Sequence, residues 1–549
     1  MKTKLSKIIV IMICVLNFNN LQSQTSTFEK PVSFGLNFDV KYDAKLIQIM
    51  PEVDVAKLTE EDEANEKLGI SYFRFGYEHK VNLTLENSGQ WFDLPNGDRL
   101  WQLRIVCPNA LSINLTYDKF WLPDGAKFFV YSNDKEQYIG AFTSENNQGT
   151  HEDIAGFATE LIYSNSIILE YYLPAATQEK GVISLDNVVH SYREVFQNFN
   201  NNNKIGDSFQ GLPPCRVGIN CSAGQDWQVE KRAIALIMRG GASWGTGSLI
   251  NNTNYDFKPL FLTAKHVIDN AIFNSSIAQV QFRWNFESPA TNCNNNSLSG
   301  TIYTTTGAKK LSSNIVTDFE LVELTDHPAK FPDYTPYYLG WDRTGNVSSD
   351  GVCIHHPAGY TKSISLYSTA PTNCTNCAIL VDGGILYTMS NYWKVCWINT
   401  SNGASGMYDG SSGAALLNSN RKIIGQLWGK DPCSGSLPNC NTGQSRCSFF
   451  GKFHLSWIGG GTNTTRLSDW LHRRNTPAPN TLDGISHCRN ITLNSPQIGN
   501  PKIVSCEIVN IQQGATVPSG NKLEVNAKEV NIFEFEVQAG AEFEIWINP

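Results

Sequence analysis

The sequence predicts an all-β protein divided into several domains, on three observations. The chain has 549 residues, more than one compact unit usually holds, and 41% are hydrophobic, enough to bury several cores. Apolar stretches of strand length recur along most of it, punctuated by turns rich in Gly, Pro and Asn. Charged residues make up only 17%, below the usual quarter, which excludes a coiled coil or a disordered chain.

The formal charge of −8 offers no basic field for nucleic acid. The first residues read as an export signal, placed at 1–24. Lys2 and Lys4 precede the apolar run Ile8 to Leu16, and the polar Gln22 to Gln24 follows. Cys14 as a lipid-anchor cysteine is disfavoured, because bulky Ile13 stands where such signals want a small residue. No later run approaches the ~20 apolar residues of a membrane-spanning helix. The expected location is extracellular.

Residues 25–197 carry strand patterns at Val81 to Leu85, Leu111 to Leu115 and Lys127 to Tyr131, with turns at Pro95-Asn96-Gly97-Asp98 and Pro123-Asp124-Gly125. A β-sandwich is expected. The polar run Asn198 to Lys204 opens a linker at 198–212, exposed enough to be cut on maturation, with Lys204-Ile205 as a candidate site, so that 25–197 would be a propeptide. Residues 213–474 are again strand-rich, as at Ala233 to Met238, and close with the short amphipathic helix pattern Arg466 to Leu471. Residues 475–549 hold a second linker, Asn475 to Asn480, then a small β module with alternation at Phe533 to Val537 and Phe543 to Trp546.

Three segments of the central region carry chemistry. Phe261-Leu262-Thr263-Ala264-Lys265-His266 is an apolar strand running into a histidine. Asp318 opens the strand pattern Phe319 to Leu324. Asp409-Gly410-Ser411-Ser412-Gly413 is a glycine-bracketed turn leading into an apolar strand. A serine hydroxyl is a weak nucleophile at neutral pH and needs a base within reach. Histidine titrates in the right range, and a buried carboxylate fixes its tautomer and stabilises its charged form. The glycines let the Gly410 and Ser412 amides converge on a developing oxyanion. Each motif alone is weak, since such histidines, aspartates and serines are usually structural. Their order His, Asp, Ser over one domain is far more specific.

The region resembles the bacterial lysyl endopeptidases. The resemblance rests on Cys215 to Cys221, Gly245 to Thr253, Phe261 to His266, Gly340-Trp341-Asp342, Ile354-His355-His356-Pro357, Gly410 to Gly413, Gly425-Gln426-Leu427 and Arg466 to Leu471, in that order. It implies a chymotrypsin-like double β-barrel, with His266 as general base, Asp318 as its orienter and Ser412 as nucleophile. It also implies disulfides of Cys221 with Cys293, and of Cys215 with a cysteine between Cys433 and Cys447. A third family bridge is absent, with Gly245 and Val267 at its two positions. Cys353, Cys374, Cys377 and Cys396 are left for replacement pairs. The Cys374/Cys377 spacing suits zinc, but with no second such pair a disulfide role is expected.

Two departures matter. Ser411 stands where trypsin-like zymogens often carry the aspartate that pairs with a new N-terminus, so activation is expected to proceed without that ion pair. The family's buried lysine-selecting aspartate aligns to Ser448, and a family histidine aligns to Trp428, giving Trp428-Gly429 as the substrate-pairing stretch. Burying a lysine ammonium without its carboxylate costs several kcal/mol, so a neutral or polar pocket is expected. The alternatives are lysine selection through Asp409 or Asp431, and an inactive homologue that binds proteins or glycans. His355 and His356 are read as structural rather than metal-binding. No cofactor or metal is expected, and the partners are protein or peptide substrates of a monomer.

Overall fold

The computed structural model describes residues 22–23, 29–36, 46–67, 73–193, 216–240, 242–269, 276–293, 298, 300–373, 380–382, 385–387, 389–431 and 446–547. The expected export signal (apart from Gln22 and Ser23) and the linker at 198–212 lie outside the described residues, as do Cys215, Cys374, Cys377 and Cys433.

The N-terminal unit is two sheets facing across one core. A four-stranded sheet runs in the order Phe157–Ile162, Ser112–Trp121, Val182–Ser191, Gly76–Thr84. The second is built on Arg99–Val106, Ser166–Leu173, Lys127–Ser132 and Tyr138–Phe142. Their inner faces bury Trp101, Leu103, Leu115, Tyr117, Phe128 and Leu169. Gly97 and Gly125, at the two expected turns, have positive φ, which glycine adopts without a Cβ penalty. Apolar burial at roughly 25 cal/mol per Å2 drives the pairing of the sheets.

The central region folds as two antiparallel sheets of the double-barrel type. In the first, Gln281–Trp284, Ile234–Arg239, Ala242–Leu249, Leu260–Ala264, Phe319–Leu324 and Ala308–Asn314 are hydrogen-bonded in that order. In the second, the order is Ser363–Tyr367, Gly351–His355, Ala415–Asn418, Lys422–Lys430, Cys447–Lys452 and Tyr392–Cys396. One large core joins residues of both sheets, from Leu262 and Phe319 to Ile354 and Leu417, and is closed by Leu467 and Leu471 beside the short Ser468–Leu471 helix. The all-β expectation and the double-barrel class both hold.

The N-terminal unit packs directly on the first sheet. Phe75 and Leu161 share a buried cluster with Leu236, Met238, Phe286 and Ile302. Beside it Arg283 and Glu160, both buried, form an ion pair whose Arg283 Nε–H donates to Glu160 Oε2 at 2.9 Å. Burial alone would push the Glu160 carboxyl up, but Arg283 and Thr304 outweigh it and hold it below the ordinary carboxylate range.

After residue 475 the chain first extends the central region. Thr481–Leu482 pairs with Gly340–Asp342, and Ile485–Ser486 pairs with Tyr337–Tyr338. The small β module beyond is a parallel stack: Asn490–Leu493, Ile508–Ile511 and Glu529–Ile532 lie side by side, as do Lys502–Ser505, Lys522–Ala527 and Glu542–Ile547. The expected strand through Phe533 to Val537 is a correction. The chain bends at Phe533-Glu534, because each coil of the stack must turn a corner there before Glu536–Val537 pairs with Thr516–Val517. Cys488–Cys506 closes the module.

Candidate active site

His266 lies just past the end of Leu260–Ala264, in the single helical turn Lys265–Ile268. Its ring Nδ1 is 2.6 Å from Asp318 Oδ2, and its backbone N–H donates to Asp318 Oδ1 at 3.0 Å. Asp318 is fully buried, while the His266 side chain keeps 28% of its surface exposed. Asp318 has φ +56°, a left-handed conformation that Asp tolerates better than most residues. Its backbone carbonyl accepts the Lys265 N–H at 2.9 Å, which ties the aspartate to the start of the histidine's turn.

The second sheet and the short helix Phe453–Ile458 that follows it clamp the residue before Asp318. Gln426 Nε2 donates to the Thr317 carbonyl at 2.6 Å, Ser456 Oγ donates to Thr317 Oγ1 at 2.8 Å, and a Cβ at Gly451 would come within 1.9 Å of that same carbonyl. Gly451 is therefore glycine because the two sheets approach too closely for any side chain. Gly425-Gln426-Leu427 carried the resemblance, but nothing in the sequence signals that Gln426 reaches Thr317, 109 residues away.

Ser412 sits in a tight turn between two glycines of positive φ, Gly410 at +86° and Gly413 at +84°. A Cβ at Gly413 would lie 2.1 Å from Thr263 Oγ1 and 2.7 Å from Ala264 N, so the serine turn touches the strand that leads to His266. Thr246 holds the turn twice: its N–H donates to the Ser412 carbonyl at 2.8 Å, and its Oγ1 donates to the Gly410 carbonyl at 3.0 Å. Asp409 O accepts the Ala358 N–H at 2.6 Å, and Gly413 N–H donates to Leu427 O at 2.8 Å. Among the described residues neither the Gly410 nor the Ser412 amide donates to a backbone carbonyl. Two unspent donors at one turn are what an oxyanion requires.

Beneath the turn is an arrangement that sequence reasoning missed. Ser411, fully buried, is 2.7 Å through its Oγ from His355 Nδ1, and His355 Nε2 is 3.0 Å from Ser365 Oγ. Burial, with Arg216 nearby, pushes the His355 imidazole down to about 3, so it is neutral in the folded protein at neutral pH. His356 is also buried, with Nδ1 3.0 Å from Tyr360 O. Among the described residues no cluster of three His, Cys, Asp or Glu could hold a metal ion.

The residues expected to shape specificity, Trp428, Gly429 and Ser448, lie on adjoining strands. Ser448 is fully buried, accepts from Trp397 Nε1 at 3.1 Å, and pairs with Lys430 and Val395 across the sheet. Trp428 is half-buried, edge-on to Tyr392. A Cβ at Gly429 would meet nothing within 4 Å, so open space lies beside it. Asp409 pairs with Lys430 at 3.1 Å and Asp431 with Lys394 at 2.7 Å.

The disulfides partly follow expectation. Cys221–Cys293 is present, and Cys447 pairs with Cys396 rather than with Cys215. Adjacent antiparallel strands place Cys396 opposite Cys447 in register, which leaves Cys447 unavailable to any distant partner. Cys353 is free and buried. Gly245 and Val267, at the missing third bridge, do face each other: a Cβ on Gly245 would be 2.8 Å from a Val267 methyl.

Residues 210–444 match the family model of the lysyl endopeptidase C-terminal domain. The lysyl endopeptidase of Pseudomonas aeruginosa is 24% identical over 351 residues, spanning 60% of this chain and 67% of that protein. Among solved structures, the active form of the Rv3671c protease from M. tuberculosis aligns at 15% identity and TM-score 0.28, covering 48% of this chain and 97% of that one. The HtrA-type protease AlgW with a decapeptide aligns at 15% identity and TM-score 0.26, covering 41% and 62%. The family match falls on the region that holds His266, Asp318 and Ser412: this chain is similar to the lysyl endopeptidases and is a serine-type endopeptidase.

Proposed function

We propose that the protein is an exported serine endopeptidase in which Ser412 attacks the peptide carbonyl, His266 takes and returns the proton, and Asp318 orients the imidazole. The observation that carries this reading is the His266–Asp318 pair, with both Asp318 oxygens receiving hydrogen bonds from the same residue. The ring can then present its other nitrogen as a base, and the buried carboxylate stabilises the imidazolium formed during acylation. The amides of Gly410 and Ser412 would bind the oxyanion, each donor contributing about 3 kcal/mol to transition-state stabilisation. In this reading residues 25–197 are a propeptide, the linker at 198–212 is cut on maturation, and the enzyme acts as a monomer outside the cell.

Lysine selection does not belong to this reading. Ser448 offers a hydroxyl already engaged by Trp397, and the two acidic alternatives, Asp409 and Asp431, each have a lysine of this chain beside them. A substrate ammonium would have to displace Lys430 or Lys394 to find a carboxylate, so the pocket bounded by Trp428, Gly429 and Ser448 should select neutral or polar side chains.

Digestion of a proteome-derived peptide library by the processed enzyme, beside a Ser412→Ala control, tests both statements. Cleavage abolished in the control, without enrichment of lysine before the cut bond, is the expected outcome. Lysine-selective cleavage would overturn the specificity, and undiminished cleavage by Ser412→Ala would overturn the nucleophile. The inactive-homologue reading requires that Ser412 fail to react with a fluorophosphonate.

A further inference from the structure

Along one edge of Ala242–Leu249 three partners follow one another. Ala242 and Ser243 pair antiparallel with Arg74 and Phe73 of the N-terminal unit. Thr246 N–H then donates to the carbonyl of Ser412. Ser248 and Leu249 pair with Leu262 and Phe261. The opposite edge is covered by Ile234–Arg239. A strand of the N-terminal unit therefore lies on the same edge as Ser412, and the partner of Phe73 is three residues from Thr246, about 10 Å along the strand.

The direction matters. Phe73 faces Ser243 and Arg74 faces Ala242, so this strand runs away from Ser412 as it proceeds. A peptide laid across Ser412 antiparallel to Ala242–Leu249 would send the half that follows its scissile bond the same way, onto the same N–H and C=O groups. Strand addition of this kind draws its affinity from main-chain hydrogen bonds, which one occupant denies to another.

The N-terminal unit also anchors the strand from both sides. Arg74 donates to Asp62 at 2.8 Å, to Glu61 at 3.1 Å and to the Leu58 carbonyl at 3.1 Å, all on the helix Val55–Lys67. Asp62 in turn accepts from Tyr192 Oη and from Arg193, each at 2.7 Å. Phe75 is buried against Leu236 and Met238, and its carbonyl accepts the Tyr192 and Arg193 N–H groups.

We propose that Phe73–Arg74 is a built-in inhibitory strand, occupying in the intact chain the sheet edge required by the leaving half of an extended peptide substrate, with Asp62–Arg74 as its anchor. This rests on the reading of Ser412 as the nucleophile. The Glu160–Arg283 pair and the apolar cluster around Phe75 lie far in sequence from the linker, so cutting at 198–212 leaves the strand seated. Activity rises when the N-terminal unit departs, not when the linker is cut.

The test uses the full chain, verified intact by mass, as wild type, Asp62→Asn, Arg74→Ala and Arg74→Lys. Each is assayed on two peptides sharing one scissile bond, a short one ending just past it and a long one continuing four residues further. Intact wild type should cleave the long peptide at least tenfold less efficiently than the short one. Asp62→Asn and Arg74→Ala should bring that ratio near one, and Arg74→Lys should restore part of it. A ratio near one in intact wild type overturns the proposal whatever the variants do, as does an unchanged ratio in variants that keep the wild-type melting temperature. If no form cleaves either peptide, fluorophosphonate labelling separates the causes. Label on Ser412 means the block lies elsewhere and the strand is not the inhibitor. No label overturns the nucleophile assignment, and the proposal with it.

Discussion

The hydroxyl of Ser411, adjacent to Ser412, is 2.7 Å from the buried imidazole of His355. This neutral contact occupies the place where an aspartate would need an ion pair, and it fastens the serine turn to Gly351–His355 without any charge.

Ser411→Ala should therefore lower kcat about tenfold with little change in KM, because one hydrogen bond holding the turn is worth about 1–2 kcal/mol. His355→Gln should retain more activity than His355→Ala, since an amide can still meet one hydroxyl. The imidazole is pushed down to about 3 by burial and by Arg216, from an ordinary value of 6.5. A depressed histidine contributes stability that is fully present above 6.5 and is lost as pH falls toward 3. Melting temperature against pH should show wild type losing stability through that window more steeply than His355→Gln.

Asp318→Asn should leave the fold intact and lower kcat by roughly 10^4-fold, the scale on which a misoriented tautomer disables such a site. Its amide would present N–H to the ring nitrogen that now faces a carboxylate. Circular dichroism beside steady-state kinetics checks it; a loss under tenfold would remove Asp318 from the mechanism.

Glu320, on the same strand as Phe319, is fully buried, and burial pushes its carboxyl up to about 8 against the pull of Lys310 and Lys265. Between its ordinary value of 4.5 and 8 the folded chain keeps a proton that the unfolded chain releases, so stability falls as pH rises through that window. Glu320→Gln removes the penalty. The variant should match wild type near pH 4.5 and exceed it progressively toward pH 8, by a few kcal/mol in chemical denaturation.

Gly429→Val tests the pocket without touching the core. With nothing within 4 Å of the added Cβ, melting temperature should stay within about 2 °C of wild type. KM should rise at least tenfold for substrates with large side chains before the cut bond. Unchanged KM would place the pocket elsewhere.

Local patterns made much of this molecule legible. The strands at Leu260–Ala264 and Phe319–Leu324 were readable because a half-buried or buried strand announces itself by its apolar residues. The Ser412 turn was readable because two glycines bracket it, and positive φ at both is why they are there. The Cys396–Cys447 bridge was not readable, since connectivity depends on which strands become neighbours. Nor was the bend at Phe533-Glu534, where alternation continues through a corner of the parallel stack.

By itself, then, the sequence determined the all-β class and the candidates His266, Asp318 and Ser412, because periodicity, turn chemistry and reactive side chains are local properties of the chain. Tertiary structure alone decided that Ser411 would lean on His355, that Lys430 and Lys394 would engage Asp409 and Asp431, and that Phe73–Arg74 would pair with the same strand, Ala242–Leu249, that holds the Ser412 carbonyl. Hydrogen bonds and ion pairs act over about 3 Å, and only the packing of the sheets brings residues tens to hundreds of positions apart within that distance.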